Sequence, residues 1–178
     1  MYSIYDTIKN KGFVSVGSSK ETGEMACNAI KEWWYTEGMV AYPSAVSLLV
    51  LADSGGSNSA SHNIFKQDLV ELTNEIGIEI RMAHYPPYTS KWNPIEHRLF
   101  PHITRALSGL MIKSYEMVKH LAEKTTTKTG LKVKSVIDTT EYETGRKVDK
   151  DFDRNFNISY DSFLPKLNYV INPTSFSK

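Results

Sequence analysis

Residues Ala45–Ala52 (AVSLLVLA) form an apolar run broken only by Ser47, and the run stops at Asp53. It is far shorter than the about 20 residues a membrane span needs. Its length and content suit a β-strand buried on both faces. The polar, glycine-rich residues Ser54-Gly55-Gly56-Ser57-Asn58 come next, so the expected strand gives way to a loop at Asp53. A helix is read over Ile64–Ile76, with Phe65, Leu69, Leu72 and Ile76 on one stripe and Gly77 at its end. Ile78, Ile80 and Met82 then alternate with Glu79 and Arg81, as a following strand would.

The flanking segments extend this pattern. Tyr2–Thr7 and Phe13–Val16 read as two strands, with Lys9-Asn10-Lys11-Gly12 as the turn of a hairpin. Thr22–Glu37 reads as a helix with Met25, Ala29, Ile30, Trp33 and Trp34 at helical spacing. Adjacent tryptophans diverge by about 100° on a helix, so one is expected in the core and the other at a rim or interface. His84–Pro94 (HYPPYTSKWNP) reads as a proline-punctuated loop. Pro94 opens a helix whose inward stripe is Ile95, Leu99, Ile103 and Leu107, with Pro101 expected to kink it. A further helix is read over Ser114–Lys124. Strand-like alternation returns at Leu131–Val136 and Tyr169–Ile171, and Phe152–Phe163 is weakly patterned. The order β-β-α-β-α-β-α-α points to an α/β layer fold with a mixed sheet flanked by helices. Residues 1–130 are expected to form the domain and 131–178 an irregular C-terminal extension packed on it.

Composition supports one folded domain. The chain has 178 residues, 40% of them apolar, enough for a hydrophobic core. Lys plus Arg number 21 against 20 Asp plus Glu, so overall charge gives no support for nucleic-acid binding, and only a local patch can supply it. The single cysteine, Cys27, excludes a disulfide framework within the chain and is read as a small buried side chain. No signal-peptide pattern is present at the N-terminus, and a soluble intracellular protein is expected.

Two acids stand out. Asp53 ends the apolar strand, where open α/β sheets tend to place their sites. Glu96 occupies the first turn of the helix opened by Pro94, where the macrodipole favours a carboxylate. Taken alone, each has a structural explanation. As a pair separated by one helix and one strand, they can offer hard oxygen ligands at one edge of a sheet. Mg²⁺ favours such donors, and paired ions assist phosphodiester chemistry. The histidines have no zinc-motif spacing and the loop after Asp53 is neither an esterase elbow nor a phosphate-binding Walker loop. Tyr85, Tyr88, Lys91 and Trp92 give the proline-rich loop both stacking surface and phosphate-binding charge; equally, the aromatics could pack down onto the fold.

Three segments carry a resemblance: ADSGGSN (Ala52–Asn58), HYPPYTSKWNPIEHRLF (His84–Phe100) and TTTKTGLKV (Thr125–Val133). They resemble the Rhodopirellula-type DDE transposases of bacterial insertion sequences, and NPIE is similar to mariner-like transposases as well. YDTIKNKGFVSVGSSKETGEMA near the N-terminus and the tail FLPKLNYVINP are similar to the same family, so the resemblance spans nearly the whole chain. It implies an RNase H-like fold and Mg²⁺ (or Mn²⁺) as cofactor. It also implies DNA cleavage and strand transfer at transposon ends, in a bacterial cytoplasmic, nucleoid-associated protein. Asp53 and Glu96 match the family's two later metal-binding acids. Lys91, Trp92, His97 and Arg98 are the expected DNA contacts. Ser54 stands where the family usually has Gly.

The family's first acid lies on a strand that this chain does not show; its hairpin resembles the family's second and third strands. The expectation is a fragment with two of three carboxylates, inactive alone, whose unpaired sheet edges favour a homodimer. Asp6, the one acid on the hairpin, is the alternative first ligand. Two other readings stay open: a remnant that only binds DNA or self-associates, and an RNase H-like nuclease using Asp6, Asp53 and Glu96.

Overall fold

The computed structural model describes residues 1–17, 21–55, 63–152 and 157–174. The fold is mixed α/β, in keeping with an RNase H-like fold, with two mixed sheets. Two compact units divide the chain. The first comprises Met1–Glu21 and Lys91–Tyr142, the second Thr22–Ser90 and Glu143–Lys178.

The first unit contains β1 (Tyr2–Asp6), β2 (Lys11–Gly17) and β5 (Lys132–Asp138), in the order β1-β2-β5. β1 and β2 are antiparallel, and β5 runs parallel to β2. The hairpin turn lies two residues earlier than the sequence suggested, because Asn10 adopts a left-handed φ of 53° and Lys11 already begins β2. Asparagine tolerates that conformation better than most side chains. Against this sheet lie α4 (Pro94–Arg98), α5 (Phe100–Leu107) and α6 (Tyr115–Glu123). Their shared core is Val14, Val16, Leu99, Ile103, Ala122, Leu131 and Val133, with Ile95, Leu107 and Val118 at its margin. The stripe read from the sequence is thus the packed one. The expected single kinked helix is two helices, broken at Leu99 (φ −124°). Pro101 falls in the first turn of the second, where its missing N–H leaves no bond unmade.

In the second unit, β3 (Ser47–Asp53), β4 (Glu79–Tyr85), β6 (Ile158–Tyr160) and β7 (Asn168–Ile171) form a sheet in the order β3-β4-β7-β6. β3 and β4 are parallel, and the remaining pairs are antiparallel. Tail residues read as unpatterned therefore supply β6. α3 (Asn63–Ile76) packs against α1 (Gly23–Trp33) and contacts β4 and β7. Thr22 caps α1 by accepting from Met25 N. α1 runs into a π-helical turn, Trp34–Gly38, and the short α2 (Met39–Ala41). Both tryptophans are buried, correcting the expectation that one would lie at a rim; their rings sit 6.2 Å apart and Gly38 leaves room beside them. Cys27 is buried in α1 as read.

β3 overturns a second expectation. Alternate residues Leu48, Val50 and Ala52 pair with Ile80, Met82 and His84 on the covered face. Leu49 and Leu51 are on the other face and remain 61% and 42% exposed. The strand lies at one end of its sheet, and among the described residues only one of its faces is covered. No helix among the described residues is long and apolar enough to cross a membrane.

Arg146, beyond β5 in sequence, ties the C-terminal segment to the helices of this unit. Its guanidinium donates to Asp68 of α3 at 2.8 Å and to Glu24 of α1 at 2.9 Å. Asp149 adds a reciprocal pair of bonds with Gln67. Asp68 is buried, and burial pushes its carboxyl up to about 6, with the Arg146 guanidinium opposing the rise. A carboxyl whose folded pKa exceeds its unfolded value of 3.8 binds more protons when folded. Its contribution therefore lowers stability as pH rises between about 4 and 6. Arg146→Met removes the opposing cation and extends that loss upward in pH. The variant should lose about 2 kcal/mol near neutral pH, a buried-pair value reduced for partial exposure. It should lose clearly less near pH 5, measured as urea unfolding midpoints. An equal loss at both pH values would contradict this coupling.

Candidate functional site

Asp53 is the last residue of β3 and pairs in register with Tyr85, the last of β4. By alternation its side chain lies on the face of Leu49 and Leu51 and is half-buried. The end of this strand pair is held by side chains. The Ser54 hydroxyl donates to the Tyr85 carbonyl. His84 Nδ1 lies 3.4 Å from the Asp53 carbonyl oxygen, and Nε2 lies 3.1 Å from the Tyr169 hydroxyl. His84 is buried on the covered face, edge-on to Phe65 and beside Tyr169. Burial lowers its pKa; the bond to Asp53 raises it in part, and the nearby Lys66 charge lowers it further. Burial likewise raises the Tyr169 hydroxyl. The glycine-rich loop read over 54–58 lies outside the described residues from Gly56 onward.

Glu96 belongs to the first unit. Asn93 is buried, and its side chain caps α4 by accepting from Ile95 N at 3.4 Å. Pro94 occupies the first helical position, and Glu96 N bonds the Asn93 carbonyl at 3.1 Å. Leu99, fully buried in the core of the unit, anchors the other end. Glu96 is thus half-buried in the first turn of a short helix fixed at both ends.

The four expected DNA contacts are exposed side chains of this same unit. Ser90–Trp92 forms a 3-10 turn. Lys91 Nζ lies 5.3 Å from the centre of the Trp92 ring, and Trp92 is 69% exposed, so this aromatic does not pack down. His97 donates through Nε2 to the Lys91 carbonyl, tying the turn to α4. Arg98 follows, exposed. Tyr88, in the preceding loop, is fully exposed at a left-handed φ of 66°, which is rare for an aromatic residue.

Asp6 ends β1. Its Oδ1 accepts from Ile8 N at 3.0 Å and Lys9 N at 2.9 Å, the bonding of an aspartate that closes a turn.

The contact between His84 and Tyr169 was missed by sequence reasoning, which placed His84 in a loop. It belongs to β4, and the alternation Ile80, Met82, His84 was the available signal. Tyr169 offered none, since its contact with His84 depends on the pairing of β4 with β7.

Carboxylate oxygens are the donors available at Asp53 and Glu96, and His84 has both ring nitrogens engaged. That chemistry fits Mg²⁺ or Mn²⁺ better than a softer metal. Among the described residues no group of three or more His, Cys, Asp or Glu is arranged to hold a metal ion.

No curated protein and no solved structure matches the chain. The sequence profile of the Rhodopirellula transposase DDE domain matches residues 1–173, essentially the whole length, and the chain therefore belongs to that transposase family.

Proposed function

We propose that this transposase-family chain takes part in metal-dependent cleavage and strand transfer of DNA phosphodiesters at transposon ends. Asp53 and Glu96 are its metal-binding carboxylates. The family match over residues 1–173 carries the reading. Asp53 at a strand end and Glu96 on a capped helical turn support it, each being half-buried and held by its own unit. A bound Mg²⁺ or Mn²⁺ would supply Lewis acidity toward the phosphodiester and lower the pKa of a coordinated water. The protein's own part is to hold two hard oxygen donors still and to orient DNA. Lys91, His97 and Arg98 offer charge and hydrogen bonds to phosphate, and Trp92 a stacking surface.

The acid that would complete the family's set of three is not assigned to a described residue. Asp6 is a poor substitute, because one of its carboxylate oxygens is engaged by two turn amides.

A second reading, a self-associating module, is favoured by β3. Its position at one end of its sheet, with Leu49 and Leu51 exposed, suits pairing with a second copy.

Three measurements bear on these proposals. Titration with Mn²⁺, followed by paramagnetic NMR broadening, should select resonances at Asp53 and at Glu96, and Asp53→Asn should abolish the effect at position 53. Broadening confined to other acids would remove the metal assignment. On a fluorescent DNA duplex, Arg98→Ala should reduce the slope of log affinity against log salt by about 0.9, the loss of one phosphate contact. An unchanged slope would exclude Arg98 from the DNA surface. In sedimentation, the chain should show a concentration-dependent dimer weakened by Leu49→Lys; a monomer at every concentration would set the self-association reading aside.

A further inference from the structure

Asp53 is the last rung of the β3–β4 ladder, paired with Tyr85, and the sheet restrains the backbone on only one side of it. The rotamer of an aspartate follows its backbone dihedrals, so a loose peptide there would leave the carboxylate direction undefined. Directly beneath, on the covered face, His84 faces Ala52 across the parallel pair. Ala52 presents only a methyl group, which leaves space for the imidazole to lean toward the next residue. Nδ1 then meets the Asp53 carbonyl oxygen at 3.4 Å.

A carbonyl only accepts, so Nδ1 must carry the proton in this contact. In the neutral ring Nε2 is then the acceptor, and the Tyr169 hydroxyl, 3.1 Å away, donates to it. The bonds form one directed chain: Tyr169 O–H to His84 Nε2, then His84 Nδ1–H to the Asp53 carbonyl. Packing restrains both rings. Phe65 meets His84 edge-on at 6.4 Å between centres, and Lys66 Nζ lies 5.2 Å from the centre of the Tyr169 ring. His84 and Tyr169 are both almost fully buried. Burial alone would make His84 an ordinary satisfied core histidine. What distinguishes it is the partner, the main chain of Asp53 itself.

We propose that His84, oriented by Tyr169, is a positioning residue for Asp53, clamping its main-chain carbonyl so that the carboxylate is presented in one direction to a divalent cation. The inference rests on the reading of Asp53 as a cation ligand. Residues that orient metal ligands from behind typically contribute about 10- to 100-fold in metal affinity.

The test uses the full chain, ¹⁵N-labelled, with Mn²⁺ alone as probe. Long-range ¹H–¹⁵N spectra of the imidazole report the tautomer, and broadening at Asp53 against Mn²⁺ concentration reports affinity. The wild-type protein should show the Nδ1–H tautomer. His84→Phe keeps the volume but deletes the donor, and should weaken Mn²⁺ binding about tenfold, the low end of that range. His84→Asn places an amide donor near the Nδ1 position and should recover most of the loss. Tyr169→Phe deletes one hydroxyl and should cost about threefold, as for one neutral hydrogen bond. A folded His84→Phe variant that binds Mn²⁺ like the wild type overturns the proposal. Where that variant does not fold, unchanged affinity in Tyr169→Phe overturns it instead. An Nε2–H tautomer in the wild type also overturns the clamp while leaving Asp53 as a ligand. Absence of broadening at Asp53 in the wild type removes the cation reading itself, and the positioning role with it.

Discussion

The parallel pairing of β3 with β4 is the constraint on which the second unit is organised. Its register sets Leu48, Val50 and Ala52 beside Ile80, Met82 and His84 on one face. The same register brings Asp53 to the last rung, opposite Tyr85. A slip by one residue would turn the whole apolar set outward and carry Asp53 to the covered face. Core formation and presentation of the acid are thus one choice of register. The hydrogen bonds of Ser54 and His84 hold the end of that register where the ladder stops.

In the first unit the acid is placed differently. Glu96 sits on five residues of helix, too few to be stable from intrinsic propensity. Its position follows from Asn93 and Pro94 at the start and Leu99 at the end, where the chain turns and begins a second helix. Leu99 also fills the space above Gly12, where a Cβ would come within 2.5 Å of its Cδ1. One leucine therefore ends the acid-bearing helix, seeds the next and docks both on the sheet. His97 links the same helix to the turn carrying Lys91 and Trp92, so the basic and aromatic side chains share its support.

Much of this was legible in the sequence because local signals agreed with the final packing. The stripe Ile95-Leu99-Ile103-Leu107 and the strand after Gly77 fall where periodicity placed them, and Cys27 is buried as its residue type suggested. Asp53 and Glu96 were legible as punctuation, one ending an apolar run and one opening a proline-started helix. The failures have a common physical origin. An apolar run reads the same whether one face of its strand is covered or both, so exposure of Leu49 and Leu51 could not be foreseen. The tryptophan pair was judged on a regular helix, but a π-helical turn begins at Trp34. His84 and Tyr169, 85 residues apart, meet only through tertiary strand pairing. Each miss required knowledge of what lies beside a segment, which the segment does not encode.

The central claim is that the Asp53 carboxylate takes a divalent cation, and anomalous diffraction tests it most directly. In a crystal grown with Mn²⁺, the account predicts an anomalous peak at bonding distance from the Asp53 carboxylate, with His84 Nδ1 still on the Asp53 carbonyl. A manganese peak elsewhere in the molecule, with the Asp53 carboxylate bare, would contradict it.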